Sequence, residues 1–390
     1  MKVGMPRQLL VLLVGGAILL SGCVAPPASR SQVDAPTGER TGPPKTLRTA
    51  VLREPSAGLI FGSGGNAAAQ VRWMFHMSLT RYDPEGNLHP HIAKKLPSIA
   101  DGDWLVLPDG GMELTWKLRP NVKWHDGTPL TADDFVFGVH VAKDPNLEVG
   151  TSALALVREL AAPDSETVVV RWSRPYFDAN VASPPSFVAL PRHLLADLYQ
   201  QSDPAAFMNN SYWTTGFIGL GPYRVAEWVL GSHTDAAAFD DYFLGRPKID
   251  RVIIRYIPDN NAMVAALLSG DIDMVNPSAL KMPDLQPVIN NWGPQGGTII
   301  PSMTSIVIAR LQFRDPSAPW GEYVTTLDLP QRQSVHADLL RWLGDEVIFL
   351  PLFYAVGSSI TAHRRGIRGP AGITPVQQVG TWNIHEWEMD

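Results

Sequence analysis

Cysteine is almost absent: 390 residues contain a single one, Cys23. One thiol excludes an intramolecular disulfide and any metal site built on clustered cysteines. A basic field is also missing. Lys and Arg number 32 against 38 Asp and Glu, a net charge of −6, whereas a nucleic-acid partner asks for an excess of positive charge. Charged residues make up only 18% and hydrophobic ones 45%, too little charge and too much apolar surface for a disordered chain. No apolar run approaches the ~20 residues that span a bilayer. Ser78, Ser278 and Ser302 lie in no Gly-x-Ser-x-Gly elbow, and no lysine of a nucleotide loop follows Gly62-Ser63-Gly64-Gly65. A serine hydrolase and a nucleotide-binding loop are therefore unsupported. Glycine (33) and proline (34) are plentiful, which predicts a fold rich in turns.

At the N-terminus Lys2 and Arg7 precede the apolar run Leu9 to Leu20, and Leu20-Ser21-Gly22-Cys23 follows at once. A short apolar core behind basic residues reads as a secretory signal. The small residues before the cysteine resemble a bacterial lipobox, which implies removal of residues 1–22 and acylation of Cys23. The alternative is a free cysteine in a chance apolar helix. Val24 to Lys45 is rich in proline and holds almost no large apolar side chain. Residues 23–46 thus read as a lipidated cysteine and flexible tether, with a reach of roughly 25 Å. The expected location is extracytoplasmic, lipid-anchored to the cell membrane.

Beyond the tether, Thr46 to Glu54 reads as an opening strand, Phe61 to Asn66 as a glycine loop and Ala67 to Leu79 as a helix. Leu105 to Arg119 reads as a hairpin about Pro108-Asp109-Gly110-Gly111, with Met112, Leu114, Trp116 and Leu118 on one face. Thr131, Asp133 and Asp134 start a helix. Val168 to Trp172 and Arg251 to Ile257 are further strands. Asp259 caps a helix Asn260 to Ser269 that Gly270 stops. A strand-like stretch Thr298 to Phe313, a helix Arg332 to Asp345 and a buried strand Val347 to Tyr354 complete the reading. Mixed strands and helices without strict alternation predict an α/β fold with more than one sheet.

Three blocks carry a resemblance: Trp116 to Phe137 (WKLRPNVKWHDGTPLTADDFVF), Gly221 to Val275 with its GPY, GRPKID and SGDIDMV elements, and Leu350 to Ala355 followed by Trp382-Asn383-Ile384. They resemble the family 5 extracellular solute-binding proteins, the peptide- and nickel-type receptors of ABC importers. The resemblance implies a periplasmic-binding-protein-like clamshell (type II) that captures peptides or similar solutes for a permease and ATPase complex. It implies a binding protein with no reaction of its own, and no cofactor is expected. It departs after Arg314 to Trp320, where the family continues into a second lobe. Gly321-Glu322-Tyr323 instead leads directly into a segment like the family's closing one. We expect residues 47–275 to form lobe I, with about 84–190 as an inserted subdomain. Residues 276–322 would be a remnant of lobe II and the hinge crossing, and 323–390 the return into lobe I. The missing lobe is on the order of 100–200 residues, and an internal deletion near Trp320 would impair binding. The alternative is a truncated lipoprotein that binds no solute and acts only as a structural or partner-binding module.

Candidate ligand-binding residues are Phe61, Gly62, Asn66, Trp73, Trp213, Thr215, Gly219 and Tyr354, which the resemblance places along the cleft wall of lobe I. With the cleft left open, Phe61, Trp213 and Tyr354 are expected to form an exposed apolar patch. Trp116, Trp124 and Trp228 read as core. His125-Asp126-Gly127 reads as a turn, since adjacent residues cannot face each other as an acid–base pair. His89 and His91 are two potential ligands without a third, too few for a metal. Asp271 and Asp273 read as scaffold.

Overall fold

Alternation and turn chemistry account for most of the elements. A computed structural model describes residues 43–55, 60, 71–147, 149, 153–182, 187–275, 279–302, 306–310, 322, 325–345, 349–354, 359–370 and 381–390. The described chain opens with β1 (Thr46–Val51), a helical segment at 71–75, and the pair β2 (Thr80–Tyr82) and β3 (Leu88–Pro90). Next come β4 (Trp104–Val106), β5 (Met112–Lys117), α1 (Ala132–Ala142), β6 (Val157–Asp164) and β7 (Thr167–Trp172). Helices α2 (Arg192–Gln201) and α3 (Pro204–Met208) lead to β8 (Tyr223–Val229), β9 (His233–Ala238) and β10 (Arg251–Tyr256). There follow α4 (Asn260–Ser269), β11 (Met274–Val275), α5 (Met282–Trp292), β12 (Thr298–Ser302) and β13 (Ile306–Arg310). Helix α6 (Leu329–Asp345), β14 (Phe349–Tyr354), β15 (Ser359–His363), β16 (Ile367–Arg368) and β17 (Glu388–Met389) close the chain.

Among the described residues the main sheet has seven strands in the order β12-β15-β11-β1-β10-β9-β8. β1 runs parallel to β10 and β11 at its centre, and the outer pairings are antiparallel. Central strands need apolar cover on both faces. β1 supplies it: Leu47 and Val51 join the large core, while Ala50 joins a second core with Met263, Leu267, Leu285, Val288 and Trp292 of α4 and α5. Helix α4 is set at both ends by local chemistry. The Asp259 carboxylate accepts the Ala262 N–H at 2.8 Å, and Gly270 ends the helix at φ 81°, a conformation open to glycine at little cost.

A second, antiparallel sheet has the order β4-β5-β7-β6 and is built entirely from residues within 84–190, with α1 against β6 and β7. The expected hairpin is its first half: Trp104 faces Leu114 across the turn, and Met112, Leu114 and Trp116 point into the core. The chain is therefore α/β with more than one sheet, as its mixed pattern predicts.

The structure departs from the sequence reading in three places. The described helical turn ends at Phe75, and the chain is extended by Thr80; the Ser78 hydroxyl is taken by the carbonyls of Ala182 and Phe187 at 2.6 and 2.9 Å. The stretch 298–313 is two strands in different sheets rather than one. Pro301 is tolerated in β12 because that strand is at the sheet edge, bonded only to β15. α5 and β12, which fall within the segment 276–322, are built into the main sheet and its second core, while β14 pairs with β13 in a separate ribbon.

Candidate functional site

The HDGTP block forms a tight turn. The Trp124 N–H donates to Thr128 O at 2.8 Å, and the Asp126 carboxylate accepts the Thr128 N–H at 2.9 Å and meets His193 Nε2 at 2.7 Å. His125 reaches out of this turn to the glycine run ahead of β8. Its backbone N–H donates to Gly219 O at 3.0 Å, its Nδ1 accepts the Gly219 N–H at 3.1 Å, and its Nε2–H donates to Gly221 O at 3.0 Å. This pattern defines a neutral ring protonated on Nε2. Burial lowers its pKa to about 4. Gly219 and Gly221 sit hard against the helical turn 71–75. A Cβ on Gly219 would fall 2.0 Å from Phe75 O, and one on Gly221 2.3 Å from Met74 O. The two motif blocks are thus one packed unit.

Of the ligand candidates, Phe61, Gly62 and Asn66 lie outside the described residues, as does Cys23. Trp73 is buried, its ring 6.0 Å from that of His91. Trp213 is only 1% exposed; its indole N–H donates to Phe207 O at 2.7 Å and its ring meets Tyr212 and Phe207 edge-on. Burial this complete takes Trp213 out of any exposed apolar patch. Gly219 is committed to packing, whereas Thr215 is exposed in the turn after Trp213. Tyr354 ends β14 opposite Ile306, and its side chain lies outside the described residues. Trp213, Thr215 and Gly219 fall in one segment, whose Gly219 packs on the Phe75 carbonyl, two residues from Trp73.

The histidines fall into two groups. His89 is on the surface with Asp83, 2.7 Å away, while His91 is buried with Nε2 3.1 Å from the Tyr242 hydroxyl. They do not face a shared point. Among the described residues no group of three or more His, Cys, Asp or Glu is arranged to hold a metal. His76 is fully buried, stacked 6.0 Å from Trp124, with neither ring nitrogen bonded; burial lowers its pKa to about 3. Asp271 is exposed, but Asp273 is buried between Arg48 and Arg364.

Ligands of open α/β sheets sit beyond the carboxyl ends of the parallel strands. β1, β10 and β11 end at Val51, Tyr256 and Val275. At this end Glu54, which the sequence reading missed, clamps the β8–β9 turn: its carboxylate accepts the Trp228 indole N–H at 2.7 Å and the Gly231 N–H at 2.9 Å. Thr234 and the Tyr256 hydroxyl bond beside it. The available signal was an acidic residue between the first strand and the glycine loop. No helix among the described residues is long and apolar enough to cross a membrane.

The fold is that of type II periplasmic-binding-protein-like receptors. It superposes on the oligopeptide-binding protein AppA of Bacillus subtilis, solved with a nonapeptide, with a TM-score of 0.70 over 89% of this chain and 100% of that one at 16% identity. It likewise superposes on NikZ of Campylobacter jejuni, solved with Ni(L-His), with a TM-score of 0.68 over 89% of this chain and 100% of that one at 16% identity. In sequence it is 32% identical over 276 residues to the oligopeptide-binding protein AppA of Bacillus subtilis, covering 69% of this chain and 47% of that protein. The chain spans less than half the length of the curated relatives it matches. The model of the bacterial extracellular solute-binding proteins, family 5 (middle), matches residues 87–315, and the chain belongs to that family. This is a family of binding proteins of ABC importers, not of enzymes.

Proposed function

We propose that this chain is the extracytoplasmic solute-capturing lipoprotein of an ABC importer, held to the membrane through Cys23 and delivering a peptide or similar small solute to a permease and ATPase complex. The observation that carries the reading is the family match across residues 87–315. It spans both the HDGTP turn and the glycine run that His125 joins. The binding wall comprises the loop after β1, including Phe61, Gly62 and Asn66, with Glu54 at its lip and Thr215 and Tyr354 as further contacts. Trp73, Trp213 and Gly219 support that wall from within.

We further propose that capture is weakened by an internal deletion near Trp320. In support, only 47% of the AppA sequence finds a counterpart here. A clamshell gains affinity by burying its ligand between two walls. If half of a micromolar ligand's ~8 kcal/mol goes with the missing wall, the remaining ~4 kcal/mol corresponds to roughly millimolar binding. Titration calorimetry of the mature chain against a peptide library is the test. Weak, saturable binding is expected, rising to micromolar when a relative's second lobe is inserted between Trp320 and Gly321. The half-length coverage also favours a second reading, a truncated lipoprotein without a solute. Absence of binding both before and after lobe insertion would select it.

A further inference from the structure

A cavity of about 550 Å³ opens where α4 and α5 end, lined in part by Leu268, Trp292, Gln295, Arg364 and Arg365. It lies at the amino end of β1, opposite the carboxyl ends of the parallel strands where the solute wall sits. The end of the sheet is marked by a ladder across three segments: Asp273 N–H donates to Arg48 O at 2.7 Å, and Arg364 N–H to Asp273 O at 3.1 Å. Arg48 also donates through Nη1 to Gly270 O at 3.0 Å, the last carbonyl of the α4 turn.

The electrostatics of this cavity are one-sided. Two arginines line it and no Asp or Glu does. Asp273 is fully buried and lies 2.8 Å from Arg364 Nε, and the exposed Asp271 stands between the lining residues Gly270 and Ile272. Beyond the Asp273 contact Arg364 makes no ion pair with a described residue. Arg365 makes no ion pair with any described residue; its stem lies across Gly296, where a Cβ would meet Cδ at 3.4 Å. Two guanidinium groups on one cavity lining can meet the oxygens of a phosphate group, which such a group binds through paired N–H donors. The cavity is far larger than one phosphate. Its other walls include Trp292 and the 41%-exposed Leu268 beside the polar Asn291 and Gln295, which suit the uncharged part of an organic phosphate.

We propose that this cavity binds a phosphate-bearing headgroup, at the opposite end of the parallel strands from the proposed solute wall. The same chemistry is offered by a soluble phosphate ester and by a phospholipid. The lipid source rests on the proposed anchor at Cys23: the tether precedes Thr46, and Arg48, two residues on, bonds Gly270 of the cavity lining.

The test uses the full chain without peptide, so its outcome is independent of solute capture. Glycerol 3-phosphate is titrated by calorimetry, and co-sedimentation is measured with vesicles of equal parts phosphatidylcholine and phosphatidylglycerol. Arg365→Gln should weaken binding about tenfold or more, as expected for a charge-assisted pair. Arg158→Gln, the same charge change at a remote exposed ion pair, should leave it unchanged. Binding of the soluble ester with this pattern supports the site with a free ligand, and binding of vesicles alone with this pattern supports it with a lipid. Failure of both probes to bind, or equal losses in Arg365→Gln and Arg158→Gln, overturns it.

Discussion

His125 and Gly219 hold each other from both sides: the His125 N–H donates to the Gly219 carbonyl at 3.0 Å, and the Gly219 N–H donates back to the His125 ring at 3.1 Å. A third bond from Nε2–H to Gly221 fixes the ring, and Phe239 meets it edge-on at 5.2 Å. His125→Ala removes a buried ring and strands the Gly219 N–H. The expected loss is about 3 kcal/mol of stability by urea denaturation, with the solute isotherm of the folded protein unchanged. Gly219→Ala forces a Cβ onto the Phe75 carbonyl and should cost about 2 kcal/mol or more.

Stability should fall on mild acidification. His76 and His125 are buried and uncharged, with pKa values lowered by burial from 6.5 to about 3 and about 4. Below pH 6.5 the unfolded chain takes up protons at these sites while the native protein does not. Stability is therefore full above 6.5 and declines as pH drops toward the folded values. Each ring contributes about 1.4 kcal/mol per pH unit over that window. Chemical denaturation at pH 7, 6 and 5 reads the slope directly. His76→Phe, which removes two unbonded nitrogens, should take away one ring's share of the slope without loss at neutral pH; an unchanged slope would contradict the assignment.

Asp134 should prove costlier to alter than its place at a helix start implies. It is buried, and its carboxylate accepts the Thr131 N–H at 2.9 Å, the Trp124 indole N–H at 3.3 Å and the Arg192 N–H at 3.0 Å. It therefore ties the turn 124–128 to the starts of α1 and α2. Asp134→Asn sets an amide donor against donors already in place, with an expected loss of about 2 kcal/mol in a thermal or urea transition. Asp133→Asn on the exposed side of the same turn should change stability by about 0.5 kcal/mol or less.

The proposed anchor has a simple readout. Mass spectrometry of the membrane fraction is expected to show a mature chain beginning at a diacylated or triacylated Cys23, and Cys23→Ser should release the protein from membranes. An unmodified Met1 on the mature chain would refute the lipobox reading.

Local patterns carried the sequence reading a long way. The alternation Met112, Leu114, Trp116 and Leu118 put the right side chains in the core, and Asp259 and Gly270 bounded α4 as expected. Trp116, Trp124 and Trp228 are buried, and the motif blocks named the family. Periods, caps and turns act between neighbours, so a linear reading captures them. What it could not supply are partners far along the chain. Trp213 looks the same in a sequence whether it is exposed or fills a core; in the fold it is 1% exposed. His125 was legible as part of a turn, but the residues its ring grips come 94 and 96 positions later. Asp134 likewise gains its weight from Arg192, 58 residues on. The order of the main sheet, with β15 beside β11 and β12 outside it, is decided by which edges meet after collapse. Backbone hydrogen-bonding groups are the same in every residue, so only the tertiary structure selects which strands they join.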